Sequence, residues 1–201
     1  MMSSGADGGA GVACSPPLRT LTGDSVTVAD VAGRRELRAR IQDRLCRTRP
    51  GTTIVAAKLN IPGPVKDGPL ARAALGRLCE QLERDLRAAG GEARPVAELS
   101  GPAGPEQFWA ASAPAATVKG ALIALEESAP GGRLLDADVW CSAEAGTAPR
   151  ALSRSDLGLG PRTCFVCGLP ARGCARSRRH PLPVLVDAVV RMLLDATGRC
   201  G

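Results

Sequence analysis

The chain has no tyrosine, two phenylalanines, two tryptophans and one histidine in 201 residues. So few aromatics argue against a reader of single-stranded nucleic acid, which stacks successive bases on aromatic platforms. A Ser-His-Asp triad would have to use His180, and no G-x-S-x-G elbow presents a serine. Neither a Gly-rich phosphate loop nor a dinucleotide fingerprint occurs. No apolar run is long enough to span a bilayer. The N-terminal stretch lacks the basic and apolar regions of a signal peptide. These absences predict a cytoplasmic protein with no membrane partner.

What is present starts with charge: 26 Lys and Arg against 20 Asp and Glu, a net +6. That balance suits an anionic ligand without naming one. Of the eight cysteines, Cys164, Cys167 and Cys174 cluster near the C-terminus and the rest are scattered. A reducing cytosol argues against disulfides. Residues 1–24 open with the Gly-, Ser- and Pro-rich MMSSGADGGAGVACSPPLRT and are expected to form a disordered tail. Residues 25–201 fit one domain, long enough to bury a core.

Periodicity predicts a helix from about Val28 to Cys46, with Leu37, Ile41 and Leu45 as its apolar stripe among many arginines. TTIVAAKLNI reads as a central strand and NIPGPVKDGP as a rigid turn. A second helix carries Ala71, Leu75, Leu78, Leu82 and Leu86 on one face and closes at Gly90-Gly91. Strands are expected in EARPVAEL and QFWAAS, a third helix in PAATVKGALIALEESAPGG, and a strand in GGRLLDADVW. A polar loop and hairpin, a Cys-rich loop and a last amphipathic helix, PLPVLVDAVVRMLLDATG, complete the chain. Alternating strands and helices predict an α+β or α/β domain built mostly on one sheet.

Three stretches carry chemistry. On a strand, Asp136 and Asp138 point to one face, roughly 7 Å apart, while Leu135, Ala137 and Val139 point to the other. Like charges so placed need open water or a cation. The pair is therefore either a solvated strand face or a Mg²⁺ site for phosphate chemistry. Arg133 would face away from Asp136 on a regular strand, unless the chain bends at Gly131-Gly132. The second stretch, Asn60-Ile61-Pro62-Gly63-Pro64-Val65-Lys66, is either a stiff loop offering Lys66 to a phosphate or an ordinary turn with a surface lysine. The third, CFVCGLPARGCARSRRH, spaces Cys164, Cys167, Cys174 and His180 as C-x2-C-x6-C-x5-H. That set could hold a structural Zn²⁺, or be a loop of reduced, packed cysteines. Arg162, Arg172, Arg176, Arg178 and Arg179 surround it.

Taken together and in this order, GRRELRARIQ, LNIPGPVKD, GGRLLDADV and LSRSDLGLGPRTCFVCGLPARGCARSRRH resemble the holo-citrate lyase synthases, or apo-citrate lyase phosphoribosyl-dephospho-CoA transferases. The resemblance implies an α+β fold: a single domain with a mixed sheet flanked by helices, nucleotidyltransferase-like, with a Cys-rich loop before the C-terminal helix. It implies transfer of the 2′-(5″-phosphoribosyl)-3′-dephospho-CoA prosthetic group. The donor is the triphosphate, 2′-(5″-triphosphoribosyl)-3′-dephospho-CoA. The acceptor is a serine of the acyl carrier (gamma) subunit of citrate lyase, and pyrophosphate leaves. The nucleophile then belongs to the partner, which accounts for the missing nucleophilic constellation. On this reading Asp136 and Asp138 are catalytic and hold Mg²⁺, and Lys66 and Arg133 bind the triphosphate. Asn60 and Gly63 belong to the same N-x-P-G-P-x-K motif as Lys66. Arg35 and Arg38 match an R-E-x-R helix and serve donor or carrier; Arg176 and His180 match the late motif. The resemblance does not establish zinc. Trp140, Cys141 and a longer loop at residues 142–151 depart from the pattern and bear on which carrier is accepted. Outside the family, a small zinc-stabilised basic module for nucleic acid is the alternative; within enzymes, transfer of AMP to a protein is another.

Overall fold

The computed structural model of the chain describes residues 21–141 and 149–198. Its centre is β1 (Thr53–Leu59), buried throughout except at half-buried Lys58. A near-continuous apolar run of this kind suits a strand covered on both faces. β1 pairs with β3 (Glu106–Ala111) on one side and β4 (Leu135–Cys141) on the other. β2 (Ala93–Leu99) and β5 (Arg150–Leu152) form the edges, giving the order β2-β3-β1-β4-β5.

Every pairing is antiparallel, which corrects the expected mixed sheet. The reason lies in the crossovers. α2 (Pro69–Ala88) connects β1 to β2, and α3 (Ala115–Ser128) connects β3 to β4. Each crossover returns the chain in the same direction but one strand away, and an antiparallel strand fills the gap. This is the split β-α-β arrangement. Alternation of elements predicts crossovers; it does not reveal the gap.

On one sheet face, Val55, Ala57, Leu135, Ala137 and Val139 pack with α2, α3 and α5 (Leu182–Thr197) into the main core. The α2 stripe is buried as its periodicity predicts. On the other face, Ile54, Ala56, Phe108 and Ala110 form a smaller cluster under Leu45 and Cys46 of α1 (Val28–Thr48). A capping box between Thr27 and Asp30 starts α1. The expected α1 stripe is shifted: Leu37 is exposed, and the buried positions are Gln42, Leu45 and Cys46. Arg38 faces the sheet because buried Glu106 receives it there.

The stretch expected to hold a polar loop and hairpin supplies, among its described residues, only one strand, β5, which pairs antiparallel with β4. Residues 142–148 of the loop between them, and residues 1–20 of the expected tail, lie outside the described residues. Leu21 packs against the main core, ahead of residue 25. No helix among the described residues is long and apolar enough to cross a membrane.

Candidate active site

Asp136 lies opposite Lys58 and Asp138 opposite Ala56 in the β1–β4 register. Leu135, Ala137 and Val139 enter the main core, so both acids emerge on the α1 side of the sheet, as strand alternation predicts. Asp136 is half-buried and Asp138 exposed. Lys58 Nζ donates to Asp136 Oδ2, and Arg162 Nη1 donates to Oδ1 at 3.4 Å. Burial alone would raise the Asp136 pKa; Lys58, Arg162 and Arg38 outweigh it and hold the carboxyl below its ordinary range. Asp138 moves the other way. Crowding by surrounding protein raises its pKa first, and the charge on Asp136 adds to this.

Beside the acids, a cavity of about 150 Å³ is lined by Arg34, Arg35, Arg38, Lys58, Asn60 and Lys66. Five of these are cations. Arg38 is held by Glu106 through Nε and Nη2 at 2.7 and 2.6 Å. Lys66 Nζ donates to the Ile61 carbonyl at 2.7 Å. Burial, then repulsion from Lys58 and Arg35, lowers the Lys66 pKa. An anion in this space would relieve that repulsion. The loop that brings Lys66 here turns at Gly63, whose φ of 83° favours glycine.

A larger cavity of about 570 Å³ adjoins, and Asn60 lines both. Its wall includes Arg133, Arg162, Phe165, Arg178, Leu182 and Leu185. The chain does bend before β4: Gly131 has φ 69°, and a single 3₁₀ turn spans Gly132–Leu134. The bend directs Arg133 into this larger cavity rather than the smaller one, and its Nη2 donates to the Thr163 carbonyl at 2.5 Å. Arg162 donates to Glu126 at 2.9 Å and to the Leu135 carbonyl at 2.6 Å.

The Sγ atoms of Cys164, Cys167 and Cys174 and a ring nitrogen of His180 lie within 4.8 Å of one another. Cys167 Sγ is 3.5 Å from Cys174 Sγ and 3.3 Å from His180 Nε2. Burial would raise the Cys164 thiol pKa, but backbone N–H groups of Val166 and Cys167, with the neighbouring thiols, lower it overall. Three soft sulfurs and an imidazole so gathered could hold a metal ion. Arg176 is exposed at the end of α4 (Ala171–Arg176) and lines neither cavity; Arg178 does.

Sequence reasoning missed Lys58, Arg34 and Glu106, and saw Arg162 only as part of a basic cluster. It also missed buried Lys119, which donates to the Ala137 carbonyl at 3.0 Å from beneath β4. A signal existed for Lys58, the only charge in an otherwise apolar central strand, since such a charge needs a partner.

The sequence profile of the family described as apo-citrate lyase phosphoribosyl-dephospho-CoA transferase matches residues 26–196. An apo-citrate lyase phosphoribosyl-dephospho-CoA transferase of Citrobacter koseri is 36% identical over 151 residues, 74% of this chain and 79% of that protein. A probable enzyme of the same name from Streptococcus pyogenes serotype M5 is 31% identical over 172 residues, 86% of this chain and 88% of that protein. Protein CitXG of Leuconostoc mesenteroides subsp. cremoris is 33% identical over 174 residues, 85% of this chain, which spans 36% of that longer protein. These matches show that the chain belongs to the apo-citrate lyase phosphoribosyl-dephospho-CoA transferase family, enzymes named for moving that group onto apo-citrate lyase.

Proposed function

We propose that this chain transfers the 2′-(5″-phosphoribosyl)-3′-dephospho-CoA group from its triphosphate donor to a serine of the acyl carrier (gamma) subunit of citrate lyase. In chemistry it is a nucleotidyltransferase. The serine oxygen attacks the phosphorus attached to the ribose. A new phosphorus–oxygen bond forms, the bond to the next phosphate breaks with its electron pair leaving on pyrophosphate, and the serine proton passes to water.

The observation that carries this reading is the juxtaposition of two carboxylates with five cations at one end of the sheet. A cavity of about 150 Å³ suits pyrophosphate and is too small for a nucleotide. Lys66, Arg34 and Arg35 neutralise the leaving group; Arg38 is oriented by Glu106, and Lys58 is shared with Asp136. Asp136 and Asp138 fit a divalent cation: they are hard oxygen donors on one face, and the raised pKa of Asp138 marks a place where positive charge is wanted. When bound there, Mg²⁺ would shield the charge of the phosphoryl oxygens. Cys164, Cys167, Cys174 and His180 fit Zn²⁺ in a structural role. The free cysteines among the described residues suit a reducing, cytoplasmic setting.

The test is intact mass spectrometry of the apo carrier after incubation with this protein and the triphosphoribosyl donor. One phosphoribosyl-dephospho-CoA increment per carrier, with one pyrophosphate released, is expected. An unmodified carrier, or AMP added from ATP instead, overturns the reading.

A further inference from the structure

We infer that the larger cavity is the binding site for the dephospho-CoA half of the donor, distinct from the pyrophosphate site beside it. The inference rests on the proposed donor, which carries two separate anionic ends. One is the triphosphate. The other is the diphosphate that joins adenosine to pantetheine, and a nucleoside lies between them. A protein that binds such a molecule needs two cationic regions with an apolar stretch between or beside them.

The two cavities have this arrangement. The smaller carries five cations, Arg34, Arg35, Arg38, Lys58 and Lys66, and no acid among its described lining residues, around about 150 Å³. The larger, about 570 Å³, combines Arg133, Arg162 and Arg178 with Phe165, Leu182 and Leu185; the one acid among its described lining residues, Glu126, is neutralised by Arg162. Its volume lies within the range of pockets that hold nucleotide-sized ligands. Phe165 is one of four aromatic residues in the chain and is half-buried, and it gives a flat apolar surface for an adenine ring. Arginine suits a diphosphate better than lysine would, because the planar guanidinium donates in pairs to phosphate oxygens; Arg162 is already paired with Glu126 and Asp136, which leaves Arg133 and Arg178 to meet the diphosphate.

Asp136 lies on the boundary. Lys58, which bonds one of its oxygens, lines the small cavity; Arg162, which bonds the other, lines the large one. Asn60 lines both. A donor laid across this boundary places its reactive phosphorus beside the acids, pyrophosphate in the small space and adenosine in the large one. Cys164, Cys174 and His180 also line the large cavity, so the metal-binding loop forms one of its walls.

Two fragments test this: dephospho-CoA and inorganic tripolyphosphate, titrated calorimetrically into the whole protein. Dephospho-CoA should bind, and saturating tripolyphosphate should leave its affinity within about twofold. Arg178→Ala and Ala175→Trp, the latter a bulky group on an exposed wall position, should each weaken dephospho-CoA at least tenfold and leave tripolyphosphate unchanged. Lys66→Ala should do the reverse. Far-UV circular dichroism and melting confirm that each variant is folded. Mutually exclusive binding of the fragments, no binding of dephospho-CoA, or folded cavity variants that bind it normally would each overturn the second subsite. Failure of carrier modification would instead overturn the proposed reaction, and the fragment titrations are read independently of it.

Discussion

Asp136 and Asp138 share a face but not an environment. Asp136 is held ionised by Lys58, Arg162 and Arg38, against the opposing effect of burial. Its depressed pKa means that it stabilises the fold above the unfolded carboxyl value, and that this support is lost as pH falls through its folded value. Asp138 has the opposite sign. Its folded pKa is raised by crowding and by Asp136, so ionising it disfavours the fold at neutral pH; the penalty is full above the folded value and absent below the unfolded one. Two isosteric changes should therefore part company in stability while agreeing in activity. In metal-free buffer at neutral pH, Asp136→Asn should lower the melting temperature and Asp138→Asn should leave it equal or higher. Both should cut carrier modification by at least about 100-fold, the scale of losing a preorganised electrostatic group. Thermal melts beside a mass-spectrometric transfer assay read this; a normally active Asp138→Asn removes the carboxylate pair from the chemistry.

At the scale of elements, α1 is fastened to the sheet by an ion pair at its middle, one turn beyond the cations Arg34 and Arg35. Arg38 donates twice to Glu106, whose side chain is 3% exposed. Removing one partner of a buried pair leaves the other charge uncompensated, at a cost of about 3–5 kcal/mol. Arg38→Ala should destabilise on that scale in denaturant titrations. Arg35→Ala, three residues earlier on an exposed position, should leave stability alone and weaken the polyphosphate. Equal stability of the two variants would mean that Arg38 is not a structural strut. This contrast also marks the limit of sequence reading. The α2 stripe and the shared face of the two acids were legible because both depend on local periodicity. The partner of Arg38 is 68 residues away and that of Asp136 on Arg162 is 26 away. Such contacts depend on strand order, and the crossover gap that sets this order leaves no mark on periodicity. Arg133 shows the same limit: the Gly131-Gly132 bend could be anticipated, but not the cavity it leads to.

For the whole molecule, the sheet and the cysteine-bearing loop contribute to the site in different ways. The carboxylates and the cations around the smaller cavity come mainly from β1, β4 and α1, whose positions are set by two packed clusters. The loop carrying Cys164 to His180 closes the larger cavity, yet its chain is mostly exposed, with Val166 and Leu169 open to solvent. So short and exposed a segment has little apolar contact to hold it, and a bound metal would supply what packing does not. Loss of metal should then loosen one wall without melting the core. After chelation, or in Cys167→Ser, far-UV circular dichroism should change little and tripolyphosphate affinity should stay the same, while the donor KM rises several-fold. With Mg²⁺ present in every transfer assay, Zn²⁺ should restore the chelated wild type and further Mg²⁺ should not. A metal-free protein with an unaltered donor KM would show that the four ligands have no part in shaping that wall. Global unfolding on chelation would show instead that the loop supports the entire sheet, a dependence that the separately packed clusters argue against.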